Sequence, residues 1–281
     1  MESEDMARWT RVAGIRTMDF GELRLSYVPD GFVHLKPGGW FPTATEQDWV
    51  GHERYLDEEG RAVASVGGLL VECGDRALLI DAGFGRVDWP DNPDMPSMGA
   101  AQGGKLLDSL RALGRQPADI EAVAITHIHP DHIGWAIEPE LAFSNASYVF
   151  GETEWARRAE AAHVRDDAVA TLEPFARTAA AGEEFFPGVS VLPTPGHTPG
   201  HSAYVLASGG QRMIAFGDAM HSPAQIAHPE WAVSADADPV EAVRSRQLLL
   251  AELRKPDTLG FGIHFGDAQF GRVVEARWQP I

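Results

Sequence analysis

Ile120-Glu121-Ala122-Val123-Ala124-Ile125-Thr126 runs without a break into His127-Ile128-His129-Pro130-Asp131-His132. The first half is a short apolar run rich in β-branched residues, which reads as a buried strand. The second half places three imidazoles and one carboxylate within six residues. In an extended segment, residues two apart point the same way, so His127 and His129 can grip one ion together. Asp131 and His132, past Pro130, can turn towards a second. Imidazole and carboxylate suit zinc and similar first-row ions. A lone histidine is usually an ordinary surface residue, but four such groups in this order after a buried strand read as metal ligands.

Working outward, residues 66–72 and 76–81 read as two strands joined by a turn at Gly74-Asp75. Residues 84–104 form a long loop containing Pro90, Pro93 and Pro96, and loops of that length are often functional. Residues 105–114 have helical spacing and end on Gly114. Downstream, strands are expected at 147–150, 189–192, 203–207, 213–216 and 259–263, and a helix at 152–162. Asp238-Pro239 with Glu241 reads as the start of a further helix running to about residue 255. The first 63 residues read as an irregular N-terminal extension packed on the rest, with strand only around 23–27. Strand, polar loop, then helix or strand recurs along the chain. That order predicts a layered α/β protein, one domain over 1–281, with its chemistry at one sheet edge.

The bulk composition agrees. With 281 residues and 44% hydrophobic content the chain can bury a substantial core. A formal charge of −18 disfavours phosphate backbones and anionic lipid surfaces, so neither nucleic acid nor membrane is expected as a partner. A neutral small molecule fits better. Cys73 is the one cysteine, which rules out an intrachain disulfide; its apolar neighbours suggest a small buried hydrophobe. The acidic N-terminus has no apolar stretch behind it, and no segment approaches a membrane span, so a cytoplasmic protein is the default expectation.

Further motifs carry a resemblance. Thr194-Pro195-Gly196-His197-Thr198-Pro199-Gly200-His201-Ser202, Phe216-Gly217-Asp218, Gly262-Ile263-His264 and Ile80-Asp81-Ala82-Gly83 follow in the order found in the metallo-β-lactamase superfamily. The similarity spans about residues 64 to 267. It implies a four-layer αββα sandwich with two divalent ions, zinc by default, although manganese, cobalt and iron accept the same donors. It further implies that His127, His129 and His197 hold the first ion. Asp131, His132 and His264 would hold the second, and Asp218 would bridge the two. A hydroxide held between the ions would then attack an ester-like carbonyl, with Asp131 and Asp218 as the carboxylates of catalysis and Asp131 as proton shuttle.

Other polar residues are left with two readings each. Asp81 either orients a ligand imidazole or caps a turn. His201 reads first as a hydrogen-bonded loop histidine. His221 either faces substrate or fixes its loop. His34, His52, His163 and His228 read as surface or packing residues. The segment 217–225 is similar to the branch holding N-acyl homoserine lactone lactonases and methyl-parathion-type organophosphate hydrolases. That branch points to a neutral, ester-like substrate with an apolar portion. Phe84, Trp89, Met95 and Met98, or Trp40 and Trp49, either wall such a substrate or pack as core. A lactonase is the leading expectation. A phosphotriesterase or a thioesterase or cyclase of a biosynthetic pathway comes next, and a metal-binding module without turnover stands as the non-enzymatic alternative. The Trp-rich N-terminal segment either wraps the domain or forms a homodimer contact.

Overall fold

The computed structural model describes residues 7–137, 141–160, 164 and 166–281. Among them, sixteen strands form two sheets. The first holds β1 (Arg16–Phe20), β2 (Leu23–Leu35), β3 (Ala62–Cys73), β4 (Arg76–Ile80), β5 (Asp88–Trp89), β6 (Met98–Gln102), β7 (Ala122–Ile125), β8 (Ser147–Gly151) and β9 (Ala176–Ala179). Their order is β5-β6-β2-β3-β4-β7-β8-β9, with β1 on β2. The second holds β10 (Glu184–Phe186), β11 (Val189–Pro193), β12 (Ser202–Ser208), β13 (Gln211–Ala215), β14 (Thr258–Phe261), β15 (Phe270–Val274) and β16 (Arg277–Pro280), paired in chain order.

Alternation along the strands explains the layers. Leu69, Val71, Leu78 and Ile80 point into a core shared with Val191, Tyr204, Leu206 and Met213 of the second sheet. Their neighbours Leu70 and Leu79 point the other way, onto Leu106 and Leu110 of the helix Leu106–Ala112 and Ile133 of the helix Pro130–Ile137. On the far side, Ile214 of β13 meets Leu249, Leu250 and Leu253 of the helix Pro239–Leu253. Both faces of each central strand are therefore buried, each large side chain contributing about 1.5–3 kcal/mol. The result is the expected αββα sandwich. Asp238 caps the helix Pro239–Leu253 as its sequence predicts, accepting from the N–H groups of Val240 and Glu241. The expected helix 152–162 is shorter, Glu152–Ala156 followed by a single 3₁₀ turn at Arg158–Glu160; residues 161 and 162 lie outside the described residues.

The N-terminal expectation needs correction. Residues 16–35 are not an irregular extension: β2 is a thirteen-residue strand between β3 and β6. Pro29-Asp30-Gly31 sits inside it as a bulge where the register with β3 shifts. The aromatic segment that follows lies against the second sheet's helical layer, with Phe41 and Trp49 packed on Trp231. The 84–104 loop also contains β5 and β6. Both its ends are tied to buried Asp30, whose carboxylate accepts from the N–H groups of Phe84, Gly104 and Leu106. Cys73 is half-buried at the end of β3. No helix among the described residues is long and apolar enough to cross a membrane.

Candidate metal centre

β4 pairs parallel with β7, and β13 parallel with β14. The segments leaving their C-terminal ends carry Asp81, His127, Asp218 and His264, and the loop after β11 carries His197. Strand ends of this kind are the usual place for a ligand in layered α/β folds. The three remaining members of the 127–132 motif follow His127 directly: His129 in the connecting turn, Asp131 and His132 in the first turn of the helix Pro130–Ile137.

The structure brings all seven sequence-predicted site residues together in two groups. His127, His129, His197 and Asp218 each offer one ligand atom, all within 4.8 Å of one another; Asp131, His132, His264 and Asp218 do the same. Asp218 belongs to both because its two oxygens diverge. Its Oδ2 lies 3.2 Å from His197 Nε2 and 3.6 Å from His127 Nε2. Its Oδ1 lies 3.0 Å from His132 Nε2 and 2.9 Å from His264 Nε2.

The residues fit metal ions by three observations. In the first group, His129 Nδ1 faces His127 Nε2 at 2.9 Å and His197 Nε2 at 3.0 Å. Protons alone satisfy three converging imidazole nitrogens poorly, whereas a tetrahedral ion with ligands about 2.0 Å away needs donor–donor edges of about 3.3 Å. In the second group, buried His132 Nε2 makes no hydrogen bond although Asp218 Oδ1 is 3.0 Å away. Finally, the four histidines of the two donor groups that face the centre through Nε2 have Nδ1 engaged elsewhere. His127 meets Thr126 Oγ1 at 3.1 Å, and His132 donates to Asp81 Oδ2 at 2.8 Å. His197 donates to Asp236 Oδ1 at 3.0 Å, and His264 donates to the Ser65 carbonyl at 2.9 Å. A proton fixed on Nδ1 leaves the Nε2 lone pair for a cation.

Charge is divided unevenly in this buried cluster. Burial, with His197 beside it, pushes His129 down to about 3. Burial also works against charging His197, yet its bonds to Asp218 and Asp236 lift it to about 9. For Asp131 burial favours the neutral acid, but the adjacent His132 overrides it and holds the carboxyl at about 2. Asp218 is likewise kept well below the usual carboxylate range, its burial outweighed by His132, His264 and further histidines.

The undecided residues separate. Asp81 orients His132 and also accepts from the Thr126 N–H and hydroxyl. It does so from a left-handed backbone, φ 62°, which aspartate tolerates better than most residues. His201 is a loop histidine that steadies the bridging segment: its Nε2 accepts the Asp218 N–H at 3.0 Å while Nδ1 contacts Thr194. Burial keeps it neutral, at about 3, as that acceptor role requires. His221 touches Asp218 Oδ2 at 3.0 Å and lines the cavity. His52 and His228 face each other at 3.0 Å at the surface, away from the centre. His34 is half-buried beside Phe32, and His163 lies outside the described residues. Sequence reading missed Asp236. It stands in an irregular segment before the helix Pro239–Leu253, and only its proximity to His197 in space reveals it.

Above the two groups opens a cavity of about 430 Å³. Its floor includes His129, Asp131, His197, Asp218 and His264, and its walls are Trp40, Phe84, Trp89, Met95 and Met98 with aliphatic neighbours. Trp49 is not among them; it is core. No lysine or arginine is among the lining residues.

Known proteins place this geometry. An N-acyl homoserine lactonase of Bacillus cereus is 30% identical over 105 residues, 36% of this chain and 39% of that protein. A hydroxyacylglutathione hydrolase of Pseudomonas entomophila is 28% identical over 180 residues, 60% of this chain and 58% of that protein. The matched stretches thus span less than two thirds of either relative. Among solved structures, AidC, a dizinc quorum-quenching lactonase, superposes with a TM-score of 0.80 at 23% identity, covering 96% of this chain and 97% of that one. The hydrolase AbOPH gives 0.76 at 26% identity, over 97% and 99%. The pattern of the metallo-beta-lactamase superfamily matches residues 68–262, more than half of the sequence, and the chain belongs to that superfamily.

Proposed function

We propose that this chain, acting as one unit over residues 1–281, is a binuclear metal-dependent hydrolase of ester-like bonds, with a lactone as its substrate. One observation carries the reading: a buried carboxylate, Asp218, turns one oxygen to each of two donor groups at the floor of an apolar cavity. In this reading His127, His129 and His197 hold one ion, Asp131, His132 and His264 the other, and Asp218 bridges. Both ions are proposed to be zinc. Bound at such a centre, divalent ions supply a nucleophile from water at neutral pH and polarise a carbonyl oxygen.

The protein's own groups do the rest. The apolar walls take up the hydrophobic part of the substrate and exclude water from it. Asp131 is an ionised carboxylate, partly open to the cavity. It accepts the proton of the attacking water and returns it to the leaving alkoxide. His221, on Asp218 Oδ2 and beside Trp40, limits the space beside the bridging carboxylate. The lactonase relative and the AidC likeness support a lactone with an acyl chain, such as an N-acyl homoserine lactone, and hence a quorum-quenching role.

The hydroxyacylglutathione hydrolase alignment favours a thioester as second reading. Against it stand the −18 charge and the lack of a lysine or arginine among the described lining residues, which leave an anionic glutathione moiety without a permanent side-chain counter-charge. The test is metal content together with hydrolysis of an acyl lactone before and after chelation. Two ions per chain, with activity lost on chelation and restored by added zinc, is the expected result. Two ions with thioester but no lactone turnover moves the substrate to the second reading, and a chain that takes up no metal overturns the proposal.

A further inference from the structure

Glu154 lies in the helix Glu152–Ala156, on none of the motifs, and is 4% exposed. A buried carboxylate needs donors, and it has three. Its Oε1 accepts the Ile128 N–H at 2.7 Å. Its Oε2 accepts the Thr198 hydroxyl at 2.7 Å and the Gly200 N–H at 3.2 Å. Two of these donors come from different loops of the first donor group. Ile128 stands between His127 and His129, and Thr198 follows His197.

We propose that Glu154 is a positioning residue for the first metal position, the one built from His127, His129 and His197. This inference rests on the metal-centre reading above. One carboxylate ties the backbone between two of its histidines to the loop that carries the third. The Ile128 side chain is fully buried in the core between the first sheet and its helices, which anchors the same stretch of backbone. Gly200 allows the close approach: a Cβ there would come within 2.1 Å of the Glu154 nitrogen. The second position is supported differently, by Asp81 on His132 and the Ser65 carbonyl on His264. Loss of Glu154 should therefore act on one ion and spare the other. Burial raises the carboxyl's pKa, and the Ile128, Thr198 and Gly200 donors, which favour the charged acceptor form, limit the rise.

The test is Glu154→Gln, which keeps the length and one acceptor oxygen but turns an amide N–H₂ towards donors. Metal-free protein is titrated with zinc against a competing chelator and, separately, with cobalt while its visible spectrum is followed. The parent is expected to bind two ions. The variant is expected to keep one at parental affinity and to hold the other about 10- to 100-fold more weakly, as is typical when the group supporting a ligand is lost. The cobalt spectrum of that position should change, and kcat should fall with little change in KM. Thr198→Val, which removes one donor, should weaken the same ion to a smaller degree, and Thr198→Ser should restore it. That pair gives the answer if Glu154→Gln does not fold. Parental affinity for both ions in Glu154→Gln, or in Thr198→Val where Glu154→Gln is lost, overturns the role of Glu154. A parent that binds fewer than two ions overturns the metal-centre reading instead.

Discussion

A single carboxylate with two diverging oxygens divides the labour at this centre. Asp218 sits in a short 3₁₀ turn after β13, and its backbone N–H is fixed by His201. From that turn its side chain reaches both donor groups. Asp131 is different: it reaches the second group yet stays open to the cavity. Asp131→Asn should weaken the second ion and, with both positions filled by excess zinc, lower kcat by about 100-fold, the lower end of the usual range for general acid–base catalysis. Metal analysis beside steady-state kinetics checks this, and full turnover with both ions in place would rule out the shuttle. Asp236→Ala should loosen the first ion about tenfold by freeing His197 Nδ1, which a chelator competition reads directly. The sequence displays the seven converging residues openly, because metal ligation accepts few side-chain types and strand ends put them at fixed offsets. Asp236 and Glu154 are hidden in it. Their work is to receive hydrogen bonds from groups distant in the chain, and no local pattern marks a carboxylate for that.

Elements differ in how plainly they announce themselves. β7, residues 77–80 of β4 and residues 69–71 of β3 show apolar runs because both their faces are buried. β2 does not, since Pro29-Asp30-Gly31 interrupts its pattern although the strand passes through it as a bulge. That same Asp30 anchors both ends of the 84–104 segment, so the cavity wall is a loop with fixed feet. Trp89 stands at the exposed end of that wall, where half of its surface is open and its ring packs edge-on against Phe84. Trp89→Ala should raise KM for a long-chain acyl lactone about fivefold, matching about 1 kcal/mol of lost apolar contact, and leave a short-chain lactone nearly unchanged. Equal effects on both chain lengths would mean that Trp89 supports the loop and does not touch substrate.

At the level of the whole molecule, the two sheets meet at the centre. Asp218 and His264 come from the second sheet, and the 127–132 segment from the first. Ions bound there join the sheets in the folded state and have no equivalent site in the unfolded chain. Metal at 100 times its dissociation constant should add about 2.7 kcal/mol per position. Removing it should lower the melting temperature by several degrees, with the transition remaining cooperative. Calorimetry of the metal-free and zinc-loaded protein measures the difference, and identical melting temperatures would place the ions outside the folding equilibrium.

The order of the donors along the chain has a consequence for synthesis. The first group is complete in composition once Asp218 has been made. The second waits for His264, 46 residues later and beyond the helix Pro239–Leu253. β14 must then slot in beside β13 before that histidine arrives at the carboxylate. A growing polypeptide therefore offers its two cation pockets one after the other, the second only once β14 lies beside β13.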